Sequence, residues 1–78
     1  MRNAEYMPKL PVLTSKKTIA FLEKSGFALD HSTGSHFVFY HKETRRRAVV
    51  PVHKKDLPQG TLLTILRQAG LERKDLFK

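Results

Sequence analysis

Gly34-Ser35-His36-Phe37-Val38-Phe39-Tyr40 reads as a β-strand entered from a tight turn. Gly34 supplies a positive φ at no steric cost. The four residues Phe37 to Tyr40 are all aromatic or β-branched, the composition of a strand. At the strand's start stands His36, a side chain that takes up and releases protons near neutral pH. This stretch fixes the middle of the fold, and its neighbours on both sides read as support.

Upstream, Phe27 to His31 forms a short strand in which Phe27 and Leu29 alternate with Ala28 and Asp30. Thr33-Gly34-Ser35 is then a three-residue hairpin loop. Downstream, Lys42 to Arg45 holds no Gly or Asn, which favours a four-residue loop around a type I turn. A third strand follows over 46–52, and Pro51 near its end marks an edge or a terminus.

Helices flank the three strands. Thr14 or Ser15 caps a helix over 15–25, with Ile19 and Leu22 at helical spacing and Gly26 as its stop. His53 to Gly60 is a basic loop. Leu62, Ile65, Leu66 and Ala69 make the buried stripe of a second helix over 61–69. A short helical turn over 71–77 packs Leu76 or Phe77 down. Residues 1–13, with Pro8 and Pro11, form an N-terminal arm that docks through Leu10, Val12 and Leu13. Residues 14–78 are the domain.

The order α-β-β-β-α predicts an α+β fold, a three-stranded antiparallel meander covered on one face by helices. The period of two places Phe37, Phe39, Ala48, Val50 and Val52 on the covered face. His36, Val38, Tyr40, Arg47 and Val49 fall on the open one. A four-residue second loop sets Tyr40 opposite Arg47, Val38 opposite Val49 and His36 opposite Pro51. His36 therefore lies at the sheet end from which His53, Lys54 and Lys55 emerge.

Composition narrows the function. Seventy-eight residues make one domain with a small core. With no cysteine, there is no disulfide framework and no thiolate zinc site, which fits a reducing cytoplasm. No apolar run reaches the length of a membrane span, and no secretory signal opens the chain. Fifteen Lys plus Arg against seven Asp plus Glu give a net charge of +8. Nucleic acid is the usual polyanionic partner of such a field, and a merely solvated basic surface is the competing reading. His36 and His41 face opposite sides of one strand, so no metal site is expected, and no cofactor.

A histidine beside several cations suits a phosphate ligand. In RNA the 2′-hydroxyl is an internal nucleophile, which needs a base to take its proton and cations to hold the charge built up at phosphorus. His36 is the natural base or acid, and no metal is required. Arg47, Lys54 and Lys55 are candidate charge stabilisers, and Tyr40 is a surface on which a base can stack. The group that protonates the leaving oxygen is open between His53, a lysine and water. The bland alternatives are a turn histidine, a solvated Arg45-Arg46-Arg47 run, and a Tyr40 that simply covers exposed valines.

Several segments together resemble the HicA-type toxins. They are Met7-Pro8-Lys9-Leu10-Pro11-Val12-Leu13, Leu22-Glu23-Lys24-Ser25-Gly26-Phe27, Gly34-Ser35-His36, Val50-Pro51-Val52-His53, Gly60-Thr61-Leu62 and Ile65-Leu66-Arg67-Gln68-Ala69-Gly70-Leu71. The resemblance implies a double-stranded-RNA-binding-like fold and a ribosome-independent mRNA interferase in the cytoplasm. It implies an mRNA substrate, a HicB-type antitoxin as partner, and a free toxin that is monomeric. In that family the histidine of Gly-Ser-His is catalytic, which carries over to His36. Arg47, Lys54, Lys55, Tyr40 and His53 are the expected RNA contacts. His41-Lys42-Glu43-Thr44-Arg45-Arg46 departs from the family's usual second turn, and six residues precede Met7. The alternatives are a non-catalytic RNA-binding module of the same fold and a protein-interaction domain matched to an acidic partner.

Overall fold

A computed structural model describes residues 9–52 and 54–78. The first eight residues of the arm and His53 lie outside the described residues. The elements run α1 (Ser15–Lys24), β1 (Phe27–Thr33), β2 (His36–His41), β3 (Arg47–Pro51), α2 (Gln59–Ala69) and a closing 3₁₀ turn (Arg73–Phe77). The fold is α+β, with a three-stranded antiparallel sheet in the order β1-β2-β3.

Each helix has local causes. Thr14 caps α1 in extended backbone, its hydroxyl accepting from the Lys17 N–H at 3.1 Å. Gly70, at φ 72°, ends α2 in the left-handed region. The second helix starts at Gln59 rather than Thr61, behind Pro58, so Gln59 and Gly60 belong to the helix and not to the basic loop. Proline has no N–H to lose at a helix start, which makes Pro58 a compatible boundary.

Leu22, Phe27, Phe39, Ala48, Val50, Leu57, Ile65 and Ala69 form one buried cluster, with Ile19, Phe21, Phe37 and Leu71 packed against it. Phe39 is 1 % exposed. All four residues of the expected α2 stripe are buried. Two polar side chains join them. Thr18 donates to the Thr14 carbonyl at 2.8 Å, and Ser15 donates to the Pro51 carbonyl at 2.6 Å. The second bond ties the start of α1 to the end of β3.

Some expectations need correction. Thr33 pairs with His36, so the first hairpin turns through two residues, Gly34 and Ser35, and not three. Gly34 has φ 54° while Ser35 stays at negative φ, the pattern in which glycine opens a two-residue hairpin turn. The His41 N–H donates to the Arg46 carbonyl at 2.9 Å, which leaves the expected four residues in the second turn although β3 itself starts at Arg47, and the turn closes with Arg45 at φ 64°. Val52 lies beyond β3 and is 42 % exposed, so the covered face ends at Val50. Of the two residues expected to pack from the C-terminal turn, Leu76 is half-buried and Phe77 is 59 % exposed, while Leu71, just ahead of the turn, packs against the core. Of the described arm, Leu10 and Leu13 are half-buried while Val12 is exposed. Leu13 is held through its carbonyl, which accepts from the Leu57 N–H at 2.8 Å.

Candidate active site on the open face

The β2–β3 register sets His36 opposite Pro51, Val38 opposite Val49 and Tyr40 opposite Arg47, as the loop length implied. His36, Val38 and Tyr40 therefore share the face without helices, beside Arg47 and Val49. His36 is exposed, and its Nδ1 lies 3.3 Å from the Ser35 hydroxyl. The Val52 N–H donates to the Ser35 carbonyl at 2.7 Å, joining the His36 turn to the outgoing chain.

That chain carries Lys54 and Lys55. Both are exposed, and neither makes a hydrogen bond or ion pair with another described residue. The segment is pinned at both ends. Pro51 is held by Ser15, and Asp56 bridges back to Thr14. Two cations are thus tethered close in sequence to the strand end opposite His36, with their ammonium groups in water.

Arg47 is differently placed. Its guanidinium lies 4.6 Å from the centroid of the Tyr40 ring and donates to the Asp30 carboxylate at 3.2 Å. It reaches across β2 from one outer strand to the other. Arg47 is thus engaged by an acid and an aromatic face, unlike Lys54 and Lys55. Tyr40 is half-buried with one face of its ring occupied.

Asp30 also accepts from His31 Nδ1 at 2.7 Å. These two residues were not anticipated in the site. Strict alternation along β1 puts Asp30 on the open face and His31 on the covered one. The register shifts between Leu29, opposite Phe39, and His31, opposite Val38. Asp30 is the extra residue of a β-bulge, the device that re-aims side chains on a bent strand. His31 is thereby moved to the open face with Val38, and Asp30 reaches Arg47 there. The sequence holds one hint: apolar alternation stops at Leu29, and the rest of the strand, Asp30 to Thr33, is polar. His31, chiefly through its hydrogen bond, and Arg47 hold the Asp30 carboxyl below the usual carboxylate range, against a smaller opposing effect of desolvation.

His41, the remaining described histidine, has a structural task. Its Nδ1 accepts from the Glu43 and Thr44 N–H groups, and its ring packs edge-on to Phe27 at 5.0 Å.

Residues 15–71 match the family model described as HicA toxin of bacterial toxin-antitoxin, which covers more than half of the chain. The match contains both helices, the whole sheet, His36 and the basic loop. No match was found among curated proteins.

Proposed function

This chain belongs to the HicA toxin family, the toxin half of toxin–antitoxin systems, and from that premise we propose that it is a metal-independent, ribosome-independent endoribonuclease that cleaves mRNA. The observation that carries the reading is the position of His36. It is exposed at the end of the central strand, on the face without helices, opposite Pro51 and the chain leading to Lys54 and Lys55. A base there removes the 2′-hydroxyl proton, and the two lysines offset the charge that develops on phosphorus. No helix among the described residues is long and apolar enough to cross a membrane.

The partner of a HicA-family toxin is its antitoxin. In our reading this is an acidic HicB-type protein that covers His36 and excludes RNA. The net charge of +8 favours fast, salt-sensitive encounter with such a partner.

The test is cleavage of a long unstructured RNA, without ribosomes and with excess EDTA, by wild type and His36→Ala. The variant should lose at least about 10²–10⁴-fold in rate, the usual contribution of one acid–base group. It should stay folded by circular dichroism and still bind RNA. Undiminished cleavage by a folded variant would remove His36 from the mechanism, and wild-type activity that vanishes with EDTA would overturn metal independence. A folded wild type that binds RNA without cleaving it would return the chain to a non-catalytic RNA-binding module.

A further inference from the structure

Cleavage through the 2′-hydroxyl needs two proton transfers. One group takes the proton of the nucleophile, and another gives a proton to the departing 5′-oxygen. Resting on the ribonuclease reading above, we infer that His31 is that second group, the general acid, aimed by Asp30.

Three observations carry this. The first is placement. His31 is opposite Val38, and His36 is opposite Thr33, so the two histidines are diagonal neighbours across β1 and β2 on the open face. Diagonal neighbours stand roughly 7–8 Å apart, which leaves room for one phosphate between the rings. Displacement at phosphorus puts the attacking and leaving oxygens roughly in line, so base and acid must flank the phosphate from opposite sides. Tyr40 is four residues along β2 from His36, about 13 Å at strand rise, too far to share a phosphate with it.

The second observation is the bulge. Without the bulge, Asp30 would take the place opposite Val38 and alternation would turn His31 toward the helices. The bulge sets an acid and a histidine consecutively on the open face.

The third is orientation. An ionised carboxylate only accepts hydrogen bonds, so the His31 Nδ1 facing Asp30 carries a proton. Nε2 is then the nitrogen left for chemistry, and it makes no hydrogen bond or ion pair with a described residue. Asp30 is itself held by Arg47, whose guanidinium rests on Tyr40. Arg47 and Tyr40 thus act on the reaction through Asp30, as positioning residues.

The step balances without a co-reactant. His36 Nε2 or Nδ1 accepts the 2′-hydroxyl proton as the 2′-oxygen forms its bond to phosphorus. The bond from phosphorus to the 5′-oxygen breaks, and that oxygen takes the proton of His31 Nε2. The products are a 2′,3′-cyclic phosphate and a 5′-hydroxyl. His36 is left protonated and His31 neutral, and exchange with water resets both.

The experiment compares two substrates with the full chain. One is an ordinary RNA. The other has sulfur in place of the bridging 5′-oxygen, and leaves as a thiolate without needing an acid. His31→Gln keeps a donor for Asp30 but cannot deliver a proton. It should cleave ordinary RNA about 10²–10⁴-fold more slowly than wild type and the sulfur substrate at close to the wild-type rate. His36→Ala should be slow on both. Cleavage of ordinary RNA by His31→Gln within a few-fold of wild type would overturn the acid role. So would an equal loss on both substrates, which would make His31 a structural residue. A wild type that cleaves neither substrate would overturn the ribonuclease reading itself and the role of His31 with it.

Discussion

On one side of the sheet Phe39, Ala48 and Val50 are sealed under two helices; on the other, His31, His36 and Arg47 stand in water on the same sheet. The covered side is fixed by apolar burial. There, a register slip of one residue would send Phe39 and Val50 into solvent, so β2 and β3 have one workable pairing. The open side is held by a carboxylate, a guanidinium and a histidine at the surface, contacts that contribute little to stability. Such a side tolerates a bulge, above all on β1, where Leu29 is already 51 % exposed beyond the cover of the helices. Stability is thus concentrated on one face and the proposed chemistry on the other.

The largest effect should come from the covered face. Phe39→Ala removes a fully buried aromatic side chain and should cost roughly 3–5 kcal/mol. For a domain this small that is a large share of its total stability. His36→Ala, by contrast, should shift stability by no more than about 0.5 kcal/mol, because its side chain is exposed. Chemical denaturation of both variants measures the contrast. Equal midpoints would mean that the two faces are not energetically distinct.

Ser15→Ala probes a bond that joins the helix layer to the end of β3, beside the proposed site. Losing the hydroxyl that donates to Pro51 should cost on the order of 1 kcal/mol. Because Pro51 is the strand partner of His36, the cleavage rate should fall as well. Unchanged activity in a measurably destabilised Ser15→Ala would show that the end of β3 keeps its place without that anchor.

These contrasts explain what could be read from the chain. The covered face was legible because burial imposes a period, and Phe37, Phe39, Ala48 and Val50 repeat it across two strands joined by a loop of readable length. His36 was legible because Gly34 fixes the turn before it. The pairing of His36 with Pro51 followed by counting. His31 was not legible: a bulge changes the parity of every residue after it, and no apolar pattern beyond Leu29 registers the change. The partnership of Arg47 with Asp30 was hidden for another reason: alternation already puts both on the open face, but they sit on the two outer strands, which the pairing of neighbouring strands does not bring together. Helix α2 began earlier than expected because glycine at position 60 reads as a breaker, although helix geometry tolerates it.

A smaller effect separates the free cations from the engaged one. Lys54→Ala or Lys55→Ala should lower the salt slope of RNA binding by about 0.7 each, the amount for one phosphate contact on a single strand. Arg47→Ala should change it less, because Asp30 already accepts its charge. Affinities measured between low and moderate salt decide. A loss of about 0.7 at Arg47, with none at either lysine, would move the phosphate track from the end of the sheet to its middle.

The smallest effect is also the most direct report on the open face. The Asp30 carboxyl is held below its ordinary value first by the hydrogen bond from His31, then by Arg47. A carboxyl lowered in the folded state contributes stability that is fully present above its ordinary, unfolded value. That contribution is lost as pH falls through the lower folded value. The stabilisation should therefore be intact at neutral pH and vanish only in acid below the ordinary carboxylate range. Carboxyl NMR titration can follow Asp30 itself. His31→Ala should return its midpoint upward toward the ordinary value, and Arg47→Ala should do so by less, since the His31 bond is the larger cause. The order of the two shifts is what matters. A larger rise in Arg47→Ala than in His31→Ala would mean that Asp30 serves the cross-sheet ion pair before it serves the histidine, and the bulge would then be holding the sheet flat rather than aiming His31.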